Sequence, residues 1–298
     1  MKRFLALLLC LLTAALAGCA AAQPQKNEKL LVYTSFYPMY DFAKKIGGEH
    51  AEVVCMVPDG TEPHDWEPVA ADIAGLSHAS LFIYHGLGME HWAEDVLRAV
   101  DNPDLTVVAV SDGIAARQET AAGEGGLDPH AWLDPMNAKK ELLAIKNAFA
   151  EKDPANAADY EANYTKYAAE MDALDSEFRS ALSGLPNKDV IVSHAAYGYL
   201  CAAYGLNQIP IEGLAADSEP DPATMAAIID FAKQRNVRTV FFEELVSPAV
   251  AETIARAVGA KTAVLSPVEG LSDAERAAGA DYVSVMRANL AALVDALK

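Results

Sequence analysis

Three histidines stand in loops rich in proline, aspartate and tryptophan. They are His64 in VPDGTEPHDWEP, His130 in GLDPHAWLDP and His194 in DVIVSHAAYGYL. Imidazole is the commonest metal ligand among side chains, and a metal-bound histidine needs a hydrogen-bond partner for its second nitrogen. Asp65, Asp128 and Asp134 are candidates for that supporting role. We therefore interpret the three histidines as candidate metal ligands.

The elements that carry these histidines alternate between strand and helix patterns. Short runs rich in β-branched and aromatic residues predict strands at 30–36, 51–57, 80–86 and 105–110, and again at 189–194, 209–214, 239–244 and 261–266. Helical patterns separate them, which predicts parallel sheets covered by helices on both faces. Ligands bind beyond the carboxyl ends of strands in such sheets. His64 follows the second strand, His130 the fourth, and His194 ends the fifth.

A different pattern lies between the two halves. One apolar stripe of helical period comprises Tyr160, Tyr164, Tyr167, Met171, Leu174, Phe178 and Leu182. It predicts one helix over 156–183, which would be about 40 Å long at 1.5 Å per residue. The predicted fold class is therefore α/β, with two lobes that each hold a four-stranded, mainly parallel sheet. The N-terminal lobe is expected over 30–153, the linking helix over 154–185 and the C-terminal lobe over 186–298.

The first residues have the pattern of a secretion signal. Lys2 and Arg3 precede an apolar run over 4–17, which is too short for a comfortable bilayer span of about 20 residues. Cys19 follows Ala-Gly and resembles the lipidated cysteine of a bacterial lipobox. We therefore expect a signal peptide over 1–18, a tether over 19–29, and an extracytoplasmic protein anchored to the membrane through Cys19.

Composition limits the partners and the redox state. The 298 residues carry 42 acidic and 23 basic side chains, a net charge of −19. A surface this negative repels phosphate backbones, which excludes a nucleic-acid partner. Cys55 and Cys201 remain in the body of the protein, and their apolar surroundings favour two buried free thiols over a disulfide. The sequence alone does not decide between these two states.

His85 is a further histidine near the expected binding edge. It closes the third predicted strand, in SLFIYHGLGMEHW. Its position predicts a residue that lines the cleft or supports a metal ligand.

Four segments carry a resemblance to a known family. GTEPHDWEP, LDPHAWLDP, VSHAAYGYLCAAYGL and LSPVEGLS are similar to the metal-site segments of the solute-binding proteins of ABC importers for zinc or manganese. The stretch DPANAADYEANYTKYAAEMDALD resembles the inter-lobe helix of that family, and the match runs in order over 30–298. The resemblance implies two α/β lobes on a backbone helix, with the metal between them.

The resemblance also implies a ligand set. His64, His130 and His194 match the three histidine positions. Manganese-type relatives often place an aspartate where this chain has Ser266, whereas zinc-type relatives carry a glutamate three residues later, which Glu269 matches. Glu243 and Glu244, at the end of the seventh strand, are the alternative fourth ligands.

This ligand set favours zinc. Three imidazoles and one carboxylate suit a tetrahedral Zn²⁺ site, whereas Mn²⁺ prefers more oxygen ligands. The loop RQETAAGEGG lacks the histidines that many zinc relatives carry there, which argues against a metal-gathering role for it.

The expected function is capture of Zn²⁺ outside the cytoplasmic membrane by a monomeric, non-enzymatic receptor that delivers it to an ABC permease. A manganese receptor of the same type is one alternative. A secreted zinc hydrolase is another, if water replaces Glu269 and Glu243 or Glu244 acts as a base. Adhesion to host surfaces, known for some relatives, is a third.

Overall fold

The computed structural model describes residues 29–119, 126–214 and 220–298. The predicted signal peptide, Cys19 and the tether as far as residue 28 lie outside the described residues. Among the described residues, no helix combines the length and apolarity that a bilayer crossing requires.

Two four-stranded parallel sheets form the centres of two lobes. The strands of the two sheets are β1 Leu30–Thr34, β2 Ala51–Cys55, β3 Leu81–Tyr84, β4 Thr106–Ala109, β7 Asp189–Val192, β8 Asn207–Pro210, β9 Thr239–Phe242 and β10 Lys261–Val264, and two short strands outside them are β5 Arg117–Glu119 and β6 Gly126–Asp128. The N-terminal sheet has the order β2-β1-β3-β4, and the C-terminal sheet has the order β10-β9-β7-β8. The predicted fold class, with two such sheets, is confirmed.

Helices cover the sheets and join the lobes. In the N-terminal half they are Tyr37–Gly47, Ala70–Leu76, Ala93–Ala99 and Pro135–Lys152. In the C-terminal half they are Gly198–Tyr204, Pro222–Gln234, Ala249–Val258, Asp273–Ala277 and Tyr282–Leu297. The linking helix, Ala157–Leu182, is the longest of the helices in the described residues.

The linking helix packs by the stripe that its sequence predicts. Tyr160, Met171, Leu174, Phe178 and Leu182 are buried, and all five belong to one continuous apolar core that also contains residues of both sheets. Truncation of such a buried side chain to alanine costs about 2–5 kcal/mol. The two lobes therefore share one core, which makes them a single packed body rather than two bodies on a free hinge.

A small antiparallel hairpin, absent from the sequence prediction, lies between the fourth strand and His130. Its strands are β5 Arg117–Glu119 and β6 Gly126–Asp128. Strands of three residues are too short to show an alternating pattern, so no pattern in the sequence predicts them. His130 therefore follows β6 of this hairpin and not β4 directly.

Neither of the described cysteines is in a disulfide. Cys201 is buried and Cys55 is half-buried, and both are free thiols. Burial raises the pKa of each thiol to about 12, so both are protonated and inert at neutral pH. The favoured prediction of free thiols is confirmed, although Cys55 is less buried than expected.

Candidate metal centre

Four side chains from both lobes converge between the sheets. Their donor atoms all lie within 4.8 Å of one another, and they form the one cluster of this kind among the described residues: His64, His130, His194 and Glu269. The distance from the His130 Nε2 to the His64 Nε2 is 3.1 Å, and to the His194 Nε2 it is 3.2 Å. Ligand atoms at about 2.0–2.1 Å from a tetrahedral zinc ion are about 3.3 Å apart. The distances around the His130 Nε2 therefore match those of a zinc coordination shell.

The Glu269 carboxylate closes the fourth side of this cluster. Its Oε1 lies 3.2 Å from the His130 Nε2, 3.3 Å from the His64 Nε2 and 3.9 Å from the His194 Nε2. Both carboxylate oxygens are buried, and the His64 and His130 imidazoles face them. A buried carboxylate is costly unless it is paired with a positive charge, and a cation bound among the rings would supply that charge.

Three of the four residues lie in segments that directly follow the carboxyl ends of strands. His194 comes two residues after β7, His130 comes two residues after β6, and Glu269 lies in the segment after β10. His64 stands further out, in the long loop between β2 and the helix Ala70–Leu76. It is the most exposed of the four, with 12% of its side chain accessible, whereas the other three are 0–1% accessible. Solvent therefore reaches the centre from the His64 side.

Two buried carboxylates orient two of the imidazoles. The His130 Nδ1 lies 2.9 Å from the Asp128 Oδ1, and the His194 Nδ1 lies 2.7 Å from the Glu243 Oε1. Each contact fixes the ring and leaves its Nε2 directed at the centre of the cluster. The orienting carboxylate expected for His130 is thus Asp128, and Glu243 holds the same position for His194.

The remaining candidate residues have other surroundings. Asp134 caps the helix Pro135–Lys152 by accepting from the backbone N–H of Met136, and Asp65 is exposed. Glu244 accepts a hydrogen bond from the Ser266 hydroxyl. Ser266 is itself buried and hydrogen-bonded, and it stands outside the cluster. Neither Glu243 nor Glu244 occupies the position of a fourth ligand.

His85 lies in the core of the N-terminal lobe rather than in the cleft. It is fully buried, with its ring 4.9 Å from the ring of Trp132 and its Nδ1 3.6 Å from the Glu141 Oε1. Burial lowers the pKa of His85 to about 3 and raises the pKa of Glu141 to about 8. Full burial does not fit the first expectation for His85, that it lines the cleft. The second expectation, that it supports a metal ligand, stays a prediction, and the Trp132 ring contacts both His85 and His130.

In the metal-free centre, protons on the histidines balance the negative charge of the neighbouring carboxylates. Burial by itself would lower the pKa of His130, but hydrogen bonds to Asp128 and Glu269 raise it to about 10. Glu243 raises the pKa of His194 against the same effect of burial. Burial would raise the pKa of Glu269, yet the facing His64 and His130 lower it well below its usual value. A divalent cation replaces these protons when it binds.

The fold and this centre together define a class. Two parallel α/β lobes share one linking helix, and a closed cluster of three histidines and one glutamate lies between them. This is the architecture of a receptor that encloses a divalent cation between its lobes. The family described as the periplasmic component A of the zinc-uptake complex, ZnuA, matches residues 32–296, and the chain belongs to that family.

Two curated relatives match almost the whole chain. The high-affinity zinc uptake system protein ZnuA of Bacillus subtilis is 38% identical over 302 residues, which cover 97% of this chain and 95% of that protein. The zinc-binding lipoprotein AdcA of Streptococcus pneumoniae is 35% identical over 98% of this chain. The chain spans only 60% of the length of AdcA.

Solved structures share the fold. Zn(II)-bound AdcA from Streptococcus pneumoniae superposes with a TM-score of 0.80 at 34% identity, over 91% of this chain and 58% of that one. The laminin-binding protein Lmb of Streptococcus agalactiae, described as having adhesin and metal-transporting activity, gives a TM-score of 0.81 at 32% identity, over 90% of this chain and 100% of that one. The adhesion expected from the resemblance is thus a described property of such neighbours.

Proposed function

We propose that this protein is the extracytoplasmic zinc-binding component of an ABC importer, which captures Zn²⁺ and delivers it to a permease. One observation carries the proposal: His64, His130, His194 and Glu269 place four donor atoms within 4.8 Å of one another between the lobes. The family to which the chain belongs is described by zinc uptake, in agreement with this donor set.

The donor set selects zinc over manganese. Three nitrogen donors and one oxygen donor at tetrahedral spacing suit Zn²⁺, and Zn²⁺ stands above Mn²⁺ in the affinity order for a given site. Ser266, which would have to be an acidic ligand in a manganese-type site, donates its hydroxyl hydrogen to Glu244 instead. The site therefore lacks the second carboxylate that an oxygen-rich shell needs.

The same geometry supports a receptor rather than a hydrolase. A catalytic zinc keeps one position open for water beside a general base, whereas four protein donors complete a tetrahedral shell. Glu243 is hydrogen-bonded to His194 and Glu244 to Ser266. Both candidate bases are therefore engaged with neighbouring side chains rather than directed at an open metal position. We infer that the protein binds zinc without turnover.

The remaining parts of the proposal concern location and assembly. We propose that the chain acts as a monomer, held at the outer face of the membrane through a lipid on Cys19. A Cys19→Ser variant expressed in a Gram-positive host should move from the membrane fraction to the medium. Retention in the membrane fraction would contradict this anchoring.

Zinc uptake by cells tests the function directly. A strain without its own zinc receptor, supplied with this chain and with a zinc permease of an ABC importer, should regain growth in medium depleted by a zinc chelator. The variant His194→Ala should not restore growth, although a surface variant such as Glu252→Gln should. Equal growth with His194→Ala would refute the proposed function.

A further inference from the structure

The segment that carries Glu269 is fixed at its start by a buried asparagine. Asn289 accepts a hydrogen bond from the backbone N–H of Ser266 at 2.8 Å and donates one to its carbonyl at 2.7 Å. The Ser266 hydroxyl also accepts from the backbone N–H of Val268 at 3.1 Å. The chain is therefore anchored three residues before the glutamate, and the direction of Glu269 depends on the residues between them.

Val268, directly before Glu269, has an unusual backbone conformation. Its φ is +59°, the left-handed region that a β-branched residue rarely adopts. Val268 is also fully buried. Such a conformation persists only where the surrounding structure holds it. A contact from the surrounding structure must therefore hold Val268 in this conformation. Without it the backbone would relax to a more favourable φ, and the Glu269 side chain would point elsewhere.

Trp132 supplies the contact next to this turn, and it does so from the other lobe. Its indole N–H donates a buried hydrogen bond of 2.8 Å to the carbonyl of Pro267, the residue before Val268. The Trp132 ring is fully buried, and the rings of Phe36 and His85 meet it edge to face at 5.0 Å and 4.9 Å. The donor is thus rigidly held before any metal binds.

We propose that Trp132 is the positioning residue for the fourth ligand. Its hydrogen bond to Pro267 holds the strained turn at Val268 and thereby directs Glu269 toward the three histidines. Trp132 follows His130 by two residues, so one short segment supplies a ligand from the N-terminal lobe and positions a ligand from the C-terminal lobe. This inference rests on the proposed function, because it concerns zinc binding by Glu269.

Removal of the indole N–H tests the proposal. Trp132→Phe keeps an aromatic ring in the core but leaves the Pro267 carbonyl without its donor. Loss of a group that orients a ligand costs roughly 10- to 100-fold in metal affinity, and we expect a loss of that size in competition titrations with a zinc chelator. Tyr160→Phe is the matched control, because it removes a hydrogen bond from a buried aromatic residue to Asp153, remote from the centre. Its zinc affinity should stay unchanged.

A double-mutant cycle separates positioning of Glu269 from general damage. In a Glu269→Ala background there is no fourth ligand left to direct, so adding Trp132→Phe should change the zinc dissociation constant by less than about twofold. Trp132 could instead act on His130, whose ring lies 5.3 Å away, or on the core alone. In that case Trp132→Phe would cause the same loss of zinc affinity in the Glu269→Ala background as in the unsubstituted protein. That additive result would overturn the proposal.

An isostere keeps the test valid if Trp132→Phe folds poorly. Incorporation of 3-benzothienylalanine at position 132 replaces the indole N–H by sulfur and preserves the ring shape. It should reproduce the loss of zinc affinity with circular dichroism like that of the unsubstituted protein, and unchanged affinity would overturn the proposal. Failure of the proposed function would look different, because the unsubstituted protein would then bind zinc weakly and Glu269→Ala would have no effect.

Discussion

His194 and Glu243 stand side by side at the ends of two neighbouring parallel strands, with 2.7 Å between the His194 Nδ1 and the Glu243 Oε1. Ile191 in β7 is in register with Val240 in β9. His194 and Glu243 each follow three residues after these partners, just past the ends of the two strands. The sheet itself therefore sets the orientation of this imidazole. Glu243 acts on the nitrogen that faces away from the metal.

Neutralising Glu243 should weaken zinc binding without removing a ligand. In Glu243→Gln the amide oxygen can still accept from the His194 Nδ1–H, but the negative charge that raises the basicity of the ring is lost. We expect roughly a 10-fold or larger rise in the zinc dissociation constant, measured by chelator competition at pH 7.5. The control Glu252→Gln alters an exposed carboxylate beside Arg256 and should have no effect. A change larger than that of His194→Ala would instead indicate that Glu243 binds the metal.

The four clustered residues should contribute unequally. His64→Ala or His194→Ala removes a nitrogen donor and should weaken zinc binding by orders of magnitude, while the fold measured by circular dichroism stays largely intact. Glu269→Ala should cost less, because a water molecule can take the place of the carboxylate. No change in Glu269→Ala would remove this residue from the coordination shell.

Zinc binding should release protons and strengthen as the pH rises. The pKa of His130 is raised to about 10 by Asp128 and Glu269 against the effect of burial, and that of His194 is raised as well. Below pH 10 the metal-free centre therefore holds a proton on His130 that zinc must displace. Each proton released makes the dissociation constant about 10-fold tighter per pH unit. Calorimetry at pH 7 to 9 in buffers of different ionisation enthalpy counts these protons.

The same shift predicts the sign of the stability change in the metal-free protein. A pKa raised from 6.5 to about 10 contributes stability that is fully present below pH 6.5 and is lost as the pH rises through 10. The increase in melting temperature on zinc addition should therefore grow between pH 7 and 9. Zinc binding with no proton release at pH 7 would contradict this protonation scheme.

Gly198 provides a test of the support beneath His130. A β-carbon at this position would lie 2.5 Å from the Asp128 Oδ2 and 2.6 Å from the Arg117 Nε, so Gly198→Ala forces a shift directly beside the carboxylate that orients His130. We expect a destabilisation of about 1–3 kcal/mol and weaker zinc binding. Gly184→Ala is the matched control, since a β-carbon there meets no atom within 4 Å. Equal zinc affinities in the two variants would show that the support of His130 by Asp128 does not require the space left by Gly198.

The features that the sequence predicts are those set by local patterns. The eight central strands follow from runs of β-branched and aromatic residues. The linking helix follows from periodicity, and Ala157–Leu182 lies within one residue of the predicted bounds 156–183. The shared edge at which parallel strands end predicts the position of the three histidines, although His130 follows the antiparallel strand β6. The resemblance to zinc and manganese receptors implies Glu269 as the fourth ligand, and the structure brings it to the histidines.

The features that the sequence leaves open depend on contacts between distant segments. Asp128 is two residues from His130 and is one of the three supporting aspartates that the sequence offers, but Glu243 reaches His194 only through the order of strands in the sheet. The contact of Trp132 with Pro267 spans 135 positions and both lobes. No local pattern encodes such a pairing, and the strained φ of Val268 gives no signal in composition.

A crystal structure of the zinc-loaded protein, with anomalous diffraction at the zinc absorption edge, tests the central claim most directly. It should show a single zinc ion about 2.0–2.1 Å from the Nε2 atoms of His64, His130 and His194 and about 2.0–2.2 Å from a Glu269 oxygen. A zinc ion bound elsewhere, or one that leaves any of these histidines uncoordinated, would contradict the account.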